Sequence, residues 1–293
     1  MPYQLGDLQA DLASGHTIVD TVFVECGASY DRAAGDAFAP VGETVFVTAQ
    51  AERSDRQLMG GIVAHADLRN ADLDAVLDAH TEAGHGRFRG IRHAGSHALH
   101  PETLTIPGRA PVGLYADAAF RTGVARLGER GLTYDTWHYH HQNQDFLDLA
   151  RTVPGTTLVL DHFGTPLGVG PYEARREEIF AQWKIDIAAI AECPNVVAKI
   201  GGLAMPDNGF GWHTAERPPT ADEFIAAQGR YYPHTIDVFG PHRCMFESNF
   251  PVDRLSLSYR TFWNAAKTLV ADFSPDERDA VLRGTAARIY RLG

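Results

Sequence analysis

The feature that most constrains the fold is a short apolar run that ends in polar residues and recurs seven times along the chain. Each run is nearly continuously apolar at its start, which is typical of parallel strands covered on both faces. Helical patterns separate the runs, and this alternation predicts an α/β fold with a parallel sheet. In a TIM-type barrel the strand interiors are apolar and the chemistry lies at the C-terminal ends of the strands, so such a barrel would produce the same change from apolar to polar residues along each run. The predicted strands are residues 18–25, 58–67, 88–93, 132–139, 157–162, 195–200 and 244–249.

The intervening helices have recognisable start and stop signals. The segments TADE (220–223) and SPDE (274–277) are capping boxes, and Asp117 can cap a helix that stops at Gly131. No change of composition marks a second domain. The 293 residues are somewhat more than the roughly 250 typical of a β/α barrel. We therefore expect a single barrel domain over residues 1–293.

The number of predicted strands is one short of a closed barrel of eight. Leu5, Leu8 and Leu12 have helical spacing, so only residues 1–4 precede the first predicted helix. At the other end, residues 274–292 have a helical pattern. We therefore expect that strand 1 of the barrel is missing from this sequence.

Composition excludes several function classes. The formal net charge is −11, and without a run of Lys or Arg the chain has no electrostatic footprint for nucleic acid or an anionic membrane. The three cysteines have no C-x-x-C spacing and are expected to be reduced thiols. With neither a signal peptide nor a membrane-spanning apolar run, we expect a cytoplasmic protein with a small-molecule substrate. Formation of a homo-oligomer is left open.

Polar residues at the ends of the predicted strands are the candidate site residues. His162 lies where a buried strand meets a glycine loop, as a metal ligand or a general acid or base would; the alternative is a core histidine. Arg92 suits bidentate capture of a carboxylate, or else a salt bridge within the rim. Glu247 and Asn249 lie two apart and are expected to point the same way; Glu247 can act as a base, or can pair with Lys199 or Arg92.

The segment around residue 138 offers two further interpretations. His138 and His140 form an H-x-H that could clamp a metal. If Trp137 and Tyr139 face the interior, however, His138 faces the helices and His140 already lies in a loop. An aromatic substrate wall formed by Trp137 and Tyr139 is then the better prediction. His140 beside it and Glu25, at the end of the first predicted strand, are further candidates for substrate binding.

Five motifs together resemble the amidohydrolase superfamily, in the amidohydrolase 2 branch that includes 2-pyrone-4,6-dicarboxylate lactonase and sugar-acid lactonases. They are FRGIRH (88–93), LDHFG (160–164), NVVAK (195–199), MFESNFP (245–251) and GTAARIY (284–290). The resemblance implies that His162 contacts a metal or the polarised substrate carbonyl and that Arg92 holds a substrate carboxylate. It also implies that water attacks a lactone carbonyl, with or without zinc.

The sequence departs from the family pattern at two points. The H-x-H of the family's first strand is absent here, and the water-activating aspartate of the last strand is replaced by Asn249, with Glu247 nearby. We therefore predict a lactonase-like hydrolase of a small carboxylated lactone, with zinc bound weakly or not at all. The alternatives are a metal-dependent decarboxylase of the same superfamily, or a truncated barrel that binds a small acid without turnover.

Overall fold

The protein, described here over residues 3–293 by a computed structural model, has a parallel sheet of seven strands. The strands are hydrogen-bonded in chain order from β1 to β7. All seven predicted strands are present, and each regular segment is shorter than the predicted range. They are β1 (Val22–Val24), β2 (Gly61–Ala64), β3 (Phe88–Arg92), β4 (Thr133–Thr136), β5 (Leu158–Leu160), β6 (Val196–Ile200) and β7 (Cys244–Phe246).

Helices follow the strands and cover the outer face of the sheet. The predicted caps are confirmed: Thr220 and Ser274 form capping boxes, and the Asp117 side chain accepts a hydrogen bond from the Phe120 amide. The last helical stretch is interrupted by a π-helical turn at Ala280–Gly284. The α-helices are α1 (Leu5–Leu12), α2 (Val41–Arg53), α3 (Leu73–Ala83), α4 (Ala118–Glu129), α5 (Asn143–Thr152), α6 (Arg176–Ala191), α7 (Ala221–Gln228), α8 (Tyr231–Phe239), α9 (Tyr259–Leu269), α10 (Pro275–Asp279) and α11 (Thr285–Ile289).

The sheet is curled, so its two faces bury two separate clusters. Residues such as Ile62 and Leu160 point outward into the large core shared with the helices. Their neighbours Val63, Val159 and Met245, from β2, β5 and β7, pack together in a second cluster inside the curl. Strands that are far apart in the sheet can share one cluster only if the sheet bends around it. This interior cluster forms the floor beneath the site described below.

Tyr290 closes the floor from the C-terminal end of the chain. Its ring is buried in the interior cluster, and its hydroxyl donates to Oδ2 of Asp135 at 2.5 Å. Arg89 donates hydrogen bonds to the main-chain oxygens of Tyr290 and Gly60, which joins this segment to the start of β2. Tyr290 is therefore part of the interior.

The two edges of the sheet differ from its centre. Within residues 3–293, β1 pairs with β2 and β7 pairs with β6, and neither edge pairs with another strand. All three residues of β1 are partly exposed, whereas every other described strand has buried residues. The observed architecture is thus an α/β fold with a curled seven-stranded parallel sheet. Over the same residues, no helix combines the length and apolar composition needed to cross a membrane.

Candidate active site

Six of the strands each place a polar residue in one layer at the C-terminal end of the interior. Side chains alternate along a strand, so the residue two positions after an inward apolar or small residue also points inward. Asp161, for example, comes two residues after Val159 of β5, and Lys199 comes two residues after Val197 of β6. The sequence offers these positions one strand at a time, and the curl of the sheet brings them together. The layer consists of His65, Arg92, Asp135, Asp161, Lys199 and Glu247.

Lys199 lies at the centre of this layer. Its Nζ is 2.9 Å from Oδ1 of Asp161, 3.5 Å from Oδ2 of Asp135 and 3.5 Å from Oε2 of Glu247, and its side chain is only 7% exposed. Burial alone would lower the pKa of Lys199, but the three carboxylates raise it overall. The ammonium is therefore held in its charged form.

The neighbouring carboxylates respond to burial differently. Burial raises the pKa of Asp161 to about 6, with Asp135 and Glu247 adding to the increase and Lys199 opposing it. Burial would likewise raise the pKa of Glu247, but His162 and Lys199 lower it to about 2. At neutral pH Glu247 is therefore a firmly ionised acceptor, whereas Asp161 can gain a proton only slightly below neutrality.

Arg92 and Glu25 are brought together at the opening of the layer. Nε of Arg92 donates to Oε1 of Glu25 at 2.9 Å, Nη2 donates to the Glu25 main-chain oxygen, and Nη1 lies 3.8 Å from Oδ2 of Asp161. The guanidinium that the sequence predicts to bind a substrate carboxylate thus already has a carboxylate partner. An acidic substrate would have to compete with Glu25.

His162 and Glu247 form the shortest charged contact of the site. Nδ1 of His162 donates to Oε1 of Glu247 at 2.6 Å, and the backbone amide of His162 donates to the same oxygen at 3.3 Å. A histidine that donates from Nδ1 to a carboxylate keeps a basic lone pair on Nε2, the usual arrangement of general bases and metal-binding histidines. Because two residues from different strands share this contact, the alternative of an isolated core histidine is not favoured.

The loop after β6 must be glycine-rich to accommodate this pair. A Cβ on Gly202 would lie 2.4 Å from Nδ1 of His162, and one on Gly201 would lie 2.5 Å from Cγ of Glu247. Gly202 also has a φ of +73°, which side-chain-bearing residues rarely adopt. The backbone therefore packs directly against both functional side chains.

Strand alternation does not extend to Asn249, because β7 ends at Phe246 and Asn249 has a φ of +52°. Its Nδ2 donates to Oδ1 of Asp253 at 2.7 Å. Oδ2 of Asp253 accepts from the Ala204 amide at 3.2 Å, and burial raises the pKa of this carboxyl to about 7. Both residues lie at the same end of the sheet, and the expectation that their side chains point the same way stays a prediction.

The two aromatic residues after β4 that were predicted to form a substrate wall, Trp137 and Tyr139, differ in exposure. Tyr139 is fully buried, and its hydroxyl accepts from the Gly108 amide at 2.7 Å. It therefore fastens a loop and does not line an open wall in this conformation. Trp137 is partly exposed, and Nδ1 of His140 accepts from the Leu167 amide at 3.3 Å. Substrate binding by Trp137 and His140 stays a prediction.

The H-x-H clamp at residues 138–140 is not assembled. His138 is buried against Phe146, and its Nε2 is 3.0 Å from Oδ1 of Asn143, on the side of the helices. No three His, Cys, Asp or Glu side chains in the described part of the chain are grouped as a metal ion requires. Among the same residues, Nε2 of His162 could serve as one ligand, but the site residues do not fit a three-ligand zinc site.

Several residues of the layer were not predicted as site residues. Asp135, Asp161 and Lys199 hold its charge balance, and Asp253 holds Asn249. A lysine inside an otherwise apolar strand is the signal that could have pointed to them, because a buried ammonium needs carboxylate partners. Their pairing could not be read from one strand alone.

Sequence comparison agrees with this geometry. The sequence model of the family described as amidohydrolase matches residues 13–292. The chain belongs to the amidohydrolase family. It is an enzyme family, and the homology described next supports a hydrolase.

Two relatives cover most of the chain. A protein of Sinorhizobium fredii, described as uncharacterized protein y4mH, is 33% identical over 298 residues, which is 99% of this chain and 86% of the relative. The L-fucono-1,5-lactonase of Burkholderia multivorans is 28% identical over 252 residues, or 85% of this chain and 77% of the lactonase. The sequence similarity thus extends to a lactone-hydrolysing amidohydrolase.

Solved structures agree on the fold. A Burkholderia multivorans amidohydrolase with bound zinc is 25% identical, with a TM-score of 0.77 over 99% of this chain and 89% of that one. A Pseudomonas putida protein described as a putative 2-pyrone-4,6-dicarboxylic acid hydrolase has a TM-score of 0.65 at 18% identity, covering 98% and 87%. Zinc is thus bound in the Burkholderia multivorans structure, while the more distant likeness shows the fold alone.

The charge balance around Lys199 leads to a first prediction. Lys199→Met keeps much of the side-chain volume but leaves three carboxylates facing an apolar group. We expect the free energy of unfolding to fall by about 3–5 kcal/mol, the cost of removing one partner of a buried ion pair. Urea unfolding at pH 7 measures it, with the exposed Lys184→Met as the matched control. A loss as small as the control's would show that the carboxylates do not depend on Lys199.

Proposed function

We propose that this amidohydrolase is a lactonase in which His162 is the general base that activates water. The observation that carries the proposal is the 2.6 Å hydrogen bond from Nδ1 of His162 to Glu247. The bond orients the imidazole so that the Nε2 atom is the ring nitrogen available for proton transfer at the C-terminal end of the sheet, where barrels of this kind place their chemistry. The similarity to an L-fucono-1,5-lactonase supports the reaction type.

The reaction needs one proton carrier and one water. Nε2 of His162 takes a proton as the water oxygen attacks the lactone carbonyl, and Glu247 stabilises the imidazolium that forms. When the ring C–O bond breaks, the same proton passes to the departing alkoxide. The product is a hydroxy acid, and the histidine returns to its starting form.

The charges of the interior support a neutral, hydroxyl-rich lactone over a strongly acidic one. Four carboxylates surround two cations, and both cations are already paired: Lys199 with Asp161 and Arg92 with Glu25. A dianionic ring would add negative charge where it is already in excess. The predicted carboxylated substrate can still fit if it carries a single carboxylate, which displaces Glu25 from Arg92.

The alternative of a decarboxylase has less support. Decarboxylases are among the structural neighbours, for example a 5-carboxyvanillate decarboxylase of Sphingomonas paucimobilis at 13% identity and a TM-score of 0.56. That likeness shows the fold alone. Release of carbon dioxide from a hydroxybenzoate, without hydrolysis of any lactone, would favour this alternative.

Substitution of His162 tests the proposed function. His162→Asn removes the basic nitrogen while keeping a polar side chain, so kcat for lactone hydrolysis should fall by about 10²–10⁴, the usual contribution of a general base. A panel of hexono-1,5-lactones and 2-pyrone-4,6-dicarboxylate, followed by acid release at pH 7, provides the assay. His242→Asn, with a side chain that is 64% exposed, is the control. Wild-type turnover by the His162 variant would refute the role.

Substitution of Arg92 tests whether it holds a substrate carboxylate. Arg92→Lys retains the charge but loses the planar pair of donors, so binding of an acidic lactone should weaken by about 1–3 kcal/mol. Calorimetry compares this variant with Arg126→Lys, which changes an exposed ion pair on α4. Unchanged affinity for the acid would show that Arg92 serves Glu25 alone.

We also propose that an eighth strand, carrying the family's H-x-H, completes the barrel between β1 and β7. The edges of the described sheet, which pair with no further strand, and the partly exposed residues of β1 support this. An unpaired buried backbone group costs about 1–3 kcal/mol, so the edges favour a partner.

Zinc content tests the eighth strand. We expect well below one zinc per 293-residue chain, and about one per chain after the residues encoded upstream and in frame are added, because three protein ligands are then available. Elemental analysis of both proteins, with lactone hydrolysis measured in parallel, decides it. Full zinc occupancy and activity in the shorter chain would show that its own residues already supply the ligands.

A further inference from the structure

The amide of Asn249 is held in one orientation by a buried carboxylate. Its Nδ2 donates to Oδ1 of Asp253 at 2.7 Å, and no residue in 3–293 donates to its Oδ1. Because nitrogen and oxygen are the two branches of one planar amide, holding the nitrogen fixes where the oxygen points. The free end of Asn249 is therefore a hydrogen-bond acceptor, two residues beyond Glu247.

We infer that Asp253 is a positioning residue, which turns the carbonyl oxygen of Asn249 toward the site to accept a hydrogen bond from the attacking water or a substrate hydroxyl. This inference rests on the proposed lactonase function. Asn249 cannot remove a proton, but its oxygen can orient a water from which His162 takes one. Asp253 does not itself contact the water or the substrate, since its own side chain is fully buried.

A carboxylate is required at position 253 because two donors meet there. Oδ1 accepts from Asn249, and Oδ2 accepts from the Ala204 amide at 3.2 Å. Only an ionised Asp or Glu offers acceptors on both branches. Glu247 and His162 are the nearby groups whose charges act on Asp253, the first raising its pKa and the second lowering it.

The same carboxylate joins the two loops that surround the His162–Glu247 pair. Asp253 belongs to the loop after β7, and Ala204 to the loop after β6, two residues beyond Gly202. The backbone at Gly202 packs against the His162 ring. Asp253 thus fixes Asn249 and the backbone beneath His162 with one side chain.

An amide at position 253 would reverse the orientation of Asn249. In Asp253→Asn the new carbonyl can keep the bond to the Ala204 amide, but its NH₂ then faces Asn249. The Asn249 amide must turn over to accept this bond, and its own NH₂ turns toward the site. The acceptor is replaced by a donor. Adding Asn249→Asp restores an acceptor on both sides, because the new carboxylate accepts from the amide at 253 and presents its second oxygen to the site.

Kinetics at pH 8, where Asp253 is ionised, test this reversal. We expect Asp253→Asn to lower kcat for the lactone by about tenfold or more, roughly the value of one hydrogen bond, with little change in KM. The double variant Asn249→Asp/Asp253→Asn should recover most of that loss. The matched control is Asp207→Asn, since Asp207 is also buried and accepts from two backbone amides, at Thr105 and Ile106. Asn249→Asp should not rescue this control.

The result that overturns the inference is wild-type kcat in Asp253→Asn, or no recovery in the double variant. If the wild-type enzyme hydrolyses no lactone, the proposed function fails, and the contact between Asn249 and Asp253 is tested by measuring unfolding at pH 8. The single variant Asn249→Asp should be less stable than the wild type, because two carboxylates then face each other. Adding Asp253→Asn to it should lower the unfolding constant again by about tenfold or more. Simple additivity of the two changes would overturn the inference.

Discussion

The structure depends on a lysine that is buried among carboxylates inside a curled sheet. A lone ammonium or carboxylate in such a place is strongly unfavourable, whereas a set of opposite charges at short distances is tolerated. Lys199 touches residues from β4, β5 and β7, so one side chain compensates charge contributed by three strands. The polar layer can exist because this one cation is shared.

The charge layer in turn determines which groups are free to react. His162 and Lys199 together keep the pKa of Glu247 low, and the ionised Glu247 holds Nδ1 of His162. The orientation of the His162 ring therefore depends on the contacts of Glu247 with its neighbours, and not on His162 alone. On the other side of the layer, Arg92 is hydrogen-bonded to Glu25. The two ends of the site therefore differ: His162 has a ring nitrogen free to bind, whereas Arg92 already has a carboxylate partner.

Much of this architecture could be predicted from the sequence, and the limit has a physical cause. Strands and caps are local features, so the seven apolar runs and the caps at Asp117, Thr220 and Ser274 predicted their elements. Contacts between distant residues are not local. His162 meets Glu247 across 85 residues, and that contact depends on the curl of the sheet. The orientation of Asn249 was beyond prediction for another reason: alternation applies only while the backbone stays extended, and β7 ends three residues before Asn249.

The place of Tyr290 in the interior has a consequence for how the protein is made. Its hydroxyl donates to Asp135, which lies beside Lys199 and 155 residues earlier in the chain. Chains are made from the N-terminus, so all seven strands of the described sheet are synthesised before Tyr290. Until Tyr290 has left the ribosome, the floor of the interior is open and Asp135 lacks this donor. The strands therefore exist for a time around an unfinished interior, and apolar surface exposed in this way is prone to misassembly.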